Sequence, residues 1–302
     1  MLAWRIGISL VLVPLLLALF YLDSQIGSTA PVLAVLCIFL ATRSVWELHK
    51  LFQVRGLRPR KSFLLTGTVL LILAAWWPHW SGGSTDQAMA EFGPLGLTYS
   101  LLVCAELFRQ AMKFREPGGT TENLGADLFI FSYAGMLLGA TAQLRWVAGE
   151  QAGYLVLGSL LIAVKGGDIG GYTIGRIFGR RKLAPVLSPG KTWAGGIGAC
   201  ATATIATWAW LTWVPPLFNS GFGPVPAVLS LTYGLVMGVV GLVGDLCESL
   251  IKRDVGKKDA GSLFPGFGGI LDLLDSIVYA GPVAYLFWKF TPLAATFTAA
   301  SS

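Results

Sequence analysis

The sequence predicts an all-α polytopic membrane protein with about nine transmembrane helices and a cytoplasmic N-terminus. Three observations carry that prediction. Apolar residues make up 54% of the 302 and charged residues only 13%, against roughly 25% charged in an ordinary soluble domain. The mean hydropathy is +0.67. Apolar runs close to the ~20 residues that cross a bilayer recur along the chain. A water-soluble globule of this size could not cover its surface with so few charges, which excludes a soluble enzyme, a disordered chain and a fibrous protein.

The runs lie near residues 6–22, 30–48, 62–80, 94–112, 127–146, 151–165, 193–213, 226–250 and 270–290. The first follows Arg5 and precedes Ser28, Thr29 and Ala30, as a signal peptide would, but its length and Pro31 favour an uncleaved span. Orientation follows the basic residues. With the N-terminus inside, all 22 lysines and arginines except Arg145 and Lys289 fall on the cytoplasmic side. The net charge of +6 is therefore a topology signal, and no nucleic acid partner is implied. The chain then divides into N-terminal transmembrane helices, residues 1–125, and a C-terminal catalytic region, 126–302, with cytoplasmic loops at 165–192 and 251–269.

Cys37, Cys104, Cys200 and Cys247 stand singly, and His49 and His79 belong to no metal-ligand pattern, so the spacing supports neither structural zinc nor a disulfide framework. Chemistry is left to carboxylates, hydroxyls, lysines, arginines and a bound metal. Near the end of the apolar run 226–250, helical geometry puts Asp245, Ser249 and Lys252 within about 40° of one face, with Glu248 about 60° to one side. Glu248 pairing with Lys252 and a snorkelling Arg253 is the plain alternative, but an acid inside an apolar pattern is costly and marks function. Further on, Gly266, Gly268 and Gly269 precede Asp272 and Asp275, three apart on one helical face. Glycines before a helix start let an anion approach backbone N–H groups. The two carboxylates, with Asp245 brought near by packing, suit Mg²⁺; simple capping of the helix is the alternative. The third constellation is Ser188-Pro189-Gly190-Lys191-Thr192, a helix start with a cation and hydroxyls. It is not a P-loop, because Pro185 stands where the first glycine is required. Asp168 lies upstream among glycines that allow close helix packing or a broken helix.

At these residues the sequence resembles the phosphatidate cytidylyltransferases, or CDP-diacylglycerol synthases. Their C-terminal signature is matched over 27 residues by Ser249, Lys252, Arg253, Lys258, Asp259, Pro265, Gly266, Gly268, Gly269, Asp272 and Asp275. Gly244-Asp245-Leu246 with Glu248, the stretch from Ser188 to Trp193, and Asp168 to Tyr172 through Gly175-Arg176 resemble further motifs. Phe267, Leu273 and Ala194 depart from the usual histidine, arginine and glutamate of the family.

The resemblance implies attack of the phosphate of phosphatidic acid on the α-phosphorus of CTP, giving CDP-diacylglycerol and pyrophosphate. It implies Mg²⁺ held by Asp245 and Asp272, with Asp275 as a further ligand, and a second cation of unspecified identity. Lys252, Arg253 and Lys191 would hold phosphates, Ser188, Thr192 and Ser249 would donate hydrogen bonds, and Gly266 to Gly269 would admit the anion. Asp168, Lys258 and Asp259 complete the substrate-binding set. The implied partners are CTP, phosphatidic acid and the bilayer, with a homodimer as a further expectation. The implied location is the cytoplasmic membrane, with the site facing the cytoplasm. Two other readings compete: an ion-coupled transporter using Asp127, Asp168, Asp245, Asp272 and Asp275 as a relay, and a non-catalytic relative. The aspartate motif of the CDP-alcohol phosphatidyltransferases is absent.

Orientation is testable directly. In a chain with its native cysteines replaced by serine, Gly118→Cys should react with an impermeant maleimide only from the cytoplasmic face, and Gly223→Cys only from the opposite face. The reverse pattern would invert the topology.

Overall fold

The computed structural model describes residues 2–81, 87–261 and 268–298, with side chains described from Pro14 onward and not over 82–92. Helices α1 (Leu2–Ile26), α2 (Pro31–Val54), α3 (Lys61–Ser81), α4 (Gln87–Lys113) and α5 (Thr120–Ile130) come first. The last continues through a π-helical turn, Phe131–Met136, into α6 (Leu137–Ala142) and a 3-10 turn, Gln143–Arg145. Then follow α7 (Gly153–Phe178), strands β1 (Lys182–Ala184) and β2 (Ser188–Thr192), α8 (Trp193–Trp213), α9 (Pro215–Phe218), α10 (Ala227–Asp254), α11 (Ile270–Phe290) and α12 (Ala295–Thr298).

Among the described residues the protein is mainly helical, with one small antiparallel hairpin. Every apolar run in the sequence forms a helix, yet six among the described residues are long and apolar enough to cross a membrane: Pro31–Val54, Lys61–Ser81, Thr120–Arg145, Gly153–Phe178, Ala227–Asp254 and Ile270–Phe290. The expected nine are not reached. In α8 the tryptophans, glycines and threonines dilute the alanine and isoleucine, and α4 carries Glu106, Arg109 and Lys113. In α1 the part with described side chains, Pro14–Ile26, is apolar but short.

Two compact units make up the chain, one comprising residues 1–140 and 254–273, the other 141–253 and 274–302. In the first, Leu64, Leu71, Ile72, Trp76, Ile130 and Phe131 are fully buried. The Trp76 indole N–H donates to Ala30 O (3.1 Å), tying α3 to the start of α2. The buried acids Glu106 and Asp127 meet a cation, as burial demands: Arg109 reaches Glu106 Oε2 through Nε (2.6 Å) and Asp127 Oδ2 through Nη2 (2.7 Å), and both acids are fully buried.

The second unit is organised by glycine. Residues 165–178, expected as a loop, belong to α7. Glycine costs about 1 kcal/mol in a helix, and here the cost is offset because α8 lies against that face. A Cβ on Gly170 would stand 1.9 Å from Thr202 Oγ1. Helix α10 meets α8 in the same way, with a Cβ on Gly238 falling 2.9 Å from Cys200 Cα. At the far end of α10, a Cβ on Gly244 would come within 2.7 Å of Tyr279 Cβ and 3.1 Å of Ser276 Cα, so glycine sets how closely α10 approaches α11 beside Asp245.

Gly244→Ala should therefore force the two helices apart. Overpacking of this kind costs about 1–3 kcal/mol, to be read as a lowered Tm in detergent. An unchanged Tm would show that the helices are not closely held there.

Candidate active site

The site is assembled in the second unit from three pieces of sequence that are far apart. Helix α7 ends at Phe178, and the chain turns through the hairpin, with Lys182 opposite Thr192 and Ala184 opposite Ser188. Thr192 then caps α8: its Oγ1 accepts the N–H of Gly195 at 3.1 Å, the usual way to satisfy a first-turn donor. With the threonine so used, the preceding Lys191 extends to Asp245 on α10, Nζ to Oδ2 at 2.7 Å.

Asp245 opens the polar end of α10. One turn on, Glu248 is fully buried and forms an ion pair with Lys252, and Ser249 is buried beside it. Arg253 ends the helix and donates from Nε to Leu187 O in the hairpin (3.1 Å). From α11, Asp275 completes an acidic group: Asp245, Glu248 and Asp275 each offer an oxygen within 4.8 Å of the others. Ser276 fixes the last of these, donating to Asp275 Oδ1 from its N–H (2.6 Å) and its hydroxyl (2.9 Å). Lys165 Nζ lies 3.1 Å from Asp168 Oδ2 and 3.4 Å from Ser276 Oγ, linking α7 to the same cluster.

Beside the acids is a cavity of about 470 Å³, whose polar lining includes Asp168, Tyr172, Arg176, Ser188, Lys191 and Asp245. That volume lies within the range of small-molecule sites, roughly 300–1,000 Å³. Gly167, Gly171, Gly175 and Gly195 form much of the remaining wall, so backbone as well as side chains can approach a ligand. Clustered carboxylate oxygens are hard donors suited to Mg²⁺. That Lys191 and Lys252 already compensate two of these acids shows a demand for positive charge, which a divalent cation would meet.

The remaining signature residues fall in the first unit. Asp272 Oδ2 accepts the N–H of Gly269 (2.7 Å) and of Ala260 (2.9 Å). Gly268 has φ +91°, and a Cβ there would lie 2.4 Å from the same oxygen. Lys258 and Asp259 are exposed. Pro265, Gly266 and Phe267 lie outside the described residues.

Sequence reasoning placed Glu248 to one side as a partner of Lys252; the structure keeps that pair and adds Glu248 to the acidic group. It missed Glu47 altogether. This fully buried acid of α2 accepts from Ile270 N–H at Oε1 (3.0 Å) and from Leu271 N–H at Oε2 (2.8 Å). The available signal was an acid within an otherwise apolar run.

A model of the cytidylyltransferase family matches residues 3–291. The chain is 31% identical over 291 residues to the phosphatidate cytidylyltransferase of Chlamydia pneumoniae, covering 94% of this chain and 90% of the relative. It is 30% identical over 311 residues to that of a Synechocystis strain, covering 93% of each. With the Mycobacterium bovis protein of the same name it shares 32% over 253 residues, 79% of this chain and 76% of the relative.

Proposed function

The chain belongs to the cytidylyltransferase family, and from that premise we propose that it transfers the cytidylyl group of CTP to phosphatidic acid in the cytoplasmic membrane. The supporting observation is the convergence of Asp245, Glu248 and Asp275 with Lys191 and Lys252 beside a cavity of nucleotide size. A phosphate oxygen of the lipid forms a bond to the α-phosphorus of CTP as the bond from that phosphorus to the β-phosphate oxygen breaks, releasing pyrophosphate. A phosphate monoester has its second pKa near ~6, so the nucleophile is already largely dianionic at neutral pH and needs no protein base. What remains is positioning and neutralisation of two polyanions.

Lys191, Lys252 and Arg253 bind phosphate oxygens in this reading, and Ser188 and Ser249 donate hydrogen bonds. Thr192 contributes by capping α8 and thereby aiming Lys191. Asp245, Glu248 and Asp275 would hold Mg²⁺, and the metal would supply charge neutralisation at the phosphates. Asp168, paired with Lys165, fixes the wall of the cavity. The basic residues around the site support a cytoplasmic face, where CTP is available. The transporter relay is disfavoured because Asp127 is committed to Arg109.

Purified protein in detergent with Mg²⁺, phosphatidic acid and α-labelled CTP should yield a lipid-soluble labelled product and one pyrophosphate per turnover. No product across a range of lipids and metals would favour the non-catalytic reading. Asp245→Asn and Asp275→Asn should each reduce the rate by about 10²-fold or more, the scale of losing one preorganised charge contact. Near-normal rates in either variant would overturn the metal assignment.

A further inference from the structure

We infer that Glu47, in the N-terminal half of the chain, is a positioning residue for the transfer: its carboxylate fixes the start of α11, the helix that carries Asp275. This inference rests on the function proposed above, in which Asp275 serves the metal. The geometry is specific. Glu47 is 1% exposed, and its two oxygens each take a different first-turn amide of α11, those of Ile270 and Leu271. Asp272 takes the preceding amide, that of Gly269, so the two carboxylates together satisfy three successive N–H groups.

Gly269 is shaped to this arrangement. A Cβ there would lie 2.3 Å from Glu47 Oε2, and one on Gly261 would lie 2.9 Å from Oε1. Both glycines therefore make room for the glutamate. Arg43 Nη2, one turn earlier on α2, stands 3.5 Å from Glu47 Oε1 and offsets its charge.

Capping for helix stability alone is ordinarily supplied by a neighbouring residue, since the donors of the first turn lie within reach of a local side chain. Here the acceptor comes from 223 residues away. Such a bond selects where the helix begins in space, in addition to whether it forms. The anion-binding position at the start of α11 is thus filled by the chain itself, and the glycines before it accommodate carboxylates of the protein.

The test compares full-length wild type, Glu47→Gln and Glu47→Ala in detergent, measuring kcat, KM for CTP, the Mg²⁺ concentration at half-maximal rate, and hydrogen exchange by peptide. Glu47→Ala should lower kcat about tenfold or more and raise the half-maximal Mg²⁺ severalfold, with KM for CTP within about twofold of wild type. Exchange at 269–272 should accelerate about tenfold while peptides of α7 and α8 exchange as in wild type. Glu47→Gln keeps one acceptor oxygen and should fall between the two. Wild-type kcat and wild-type exchange at 269–272 in Glu47→Ala would overturn the inference, as would faster exchange spread evenly over all helices. Should Glu47→Ala fail to fold, Glu47→Gln is judged by the same criteria. If the wild type forms no product, the transferase reading fails, and unaltered exchange at 269–272 would separately refute the hold of Glu47 on α11.

Discussion

A carboxylate removed from water must be met by a cation or by N–H donors, and this constraint governs the polar architecture of the chain. The buried acids among the described residues are Asp23, Glu47, Glu106, Asp127, Glu248 and Asp275. Asp23 accepts from Val32 N–H at 2.7 Å, Glu47 caps α11, and Glu106 and Asp127 share Arg109. Each of these four is satisfied by a local or dedicated partner, and each fixes one element against another. Glu248 and Asp275 differ, because they are drawn together with Asp245 into a single group. Like charges repel more strongly as the effective dielectric falls. A fold that gathers three of them in one place has given up stability there, which is the usual mark of a functional site.

The glycines answer to the same constraint at one remove. Large side chains on α7, α8 and α10 would hold these helices farther apart, and Lys191 on the hairpin could not then meet Asp245 on α10 at 2.7 Å. Gly244 next to Asp245, and Ser276 next to Asp275, bring the two acids to one level of the helix pair. Close backbone packing and a narrow polar site are therefore a single solution.

Much of this was legible in the sequence, and the part that was not has a physical reason. Apolar runs gave the helices, and helical geometry placed Asp245, Ser249 and Lys252 together because such relations are local. Among the described residues six of the nine expected spans meet the length and apolarity of a membrane helix, and α8 has the length but a tryptophan-, glycine- and threonine-rich composition. The hairpin was invisible because Ser188-Pro189-Gly190 has no strand propensity; it is held by pairing to Lys182–Ala184 and by Arg253 on Leu187 O. The helical state of 165–178 was hidden by its glycines, whose intrinsic penalty is outweighed by packing on α8. Glu47 stands out as an acid in an apolar run, but nothing within α2 indicates its partner at residue 270.

The formal charges of the site bear on its chemistry. Asp245, Glu248 and Asp275 contribute three negative charges, and Lys191 and Lys252 two positive ones, while Lys165 and Asp168 cancel. These acids and their two lysines together are negative, and Arg176 and Arg253 add positive charge beside them. The two lysines are also committed to carboxylates, so their charge is only partly available to a substrate. A divalent cation compensating the acids would make the site more positive and leave the ammonium groups to phosphate oxygens. In the proposed reading, a divalent ion held by the acids would account for acids and lysines being interleaved along α10 and the hairpin. A purely structural network would need no surplus carboxylate.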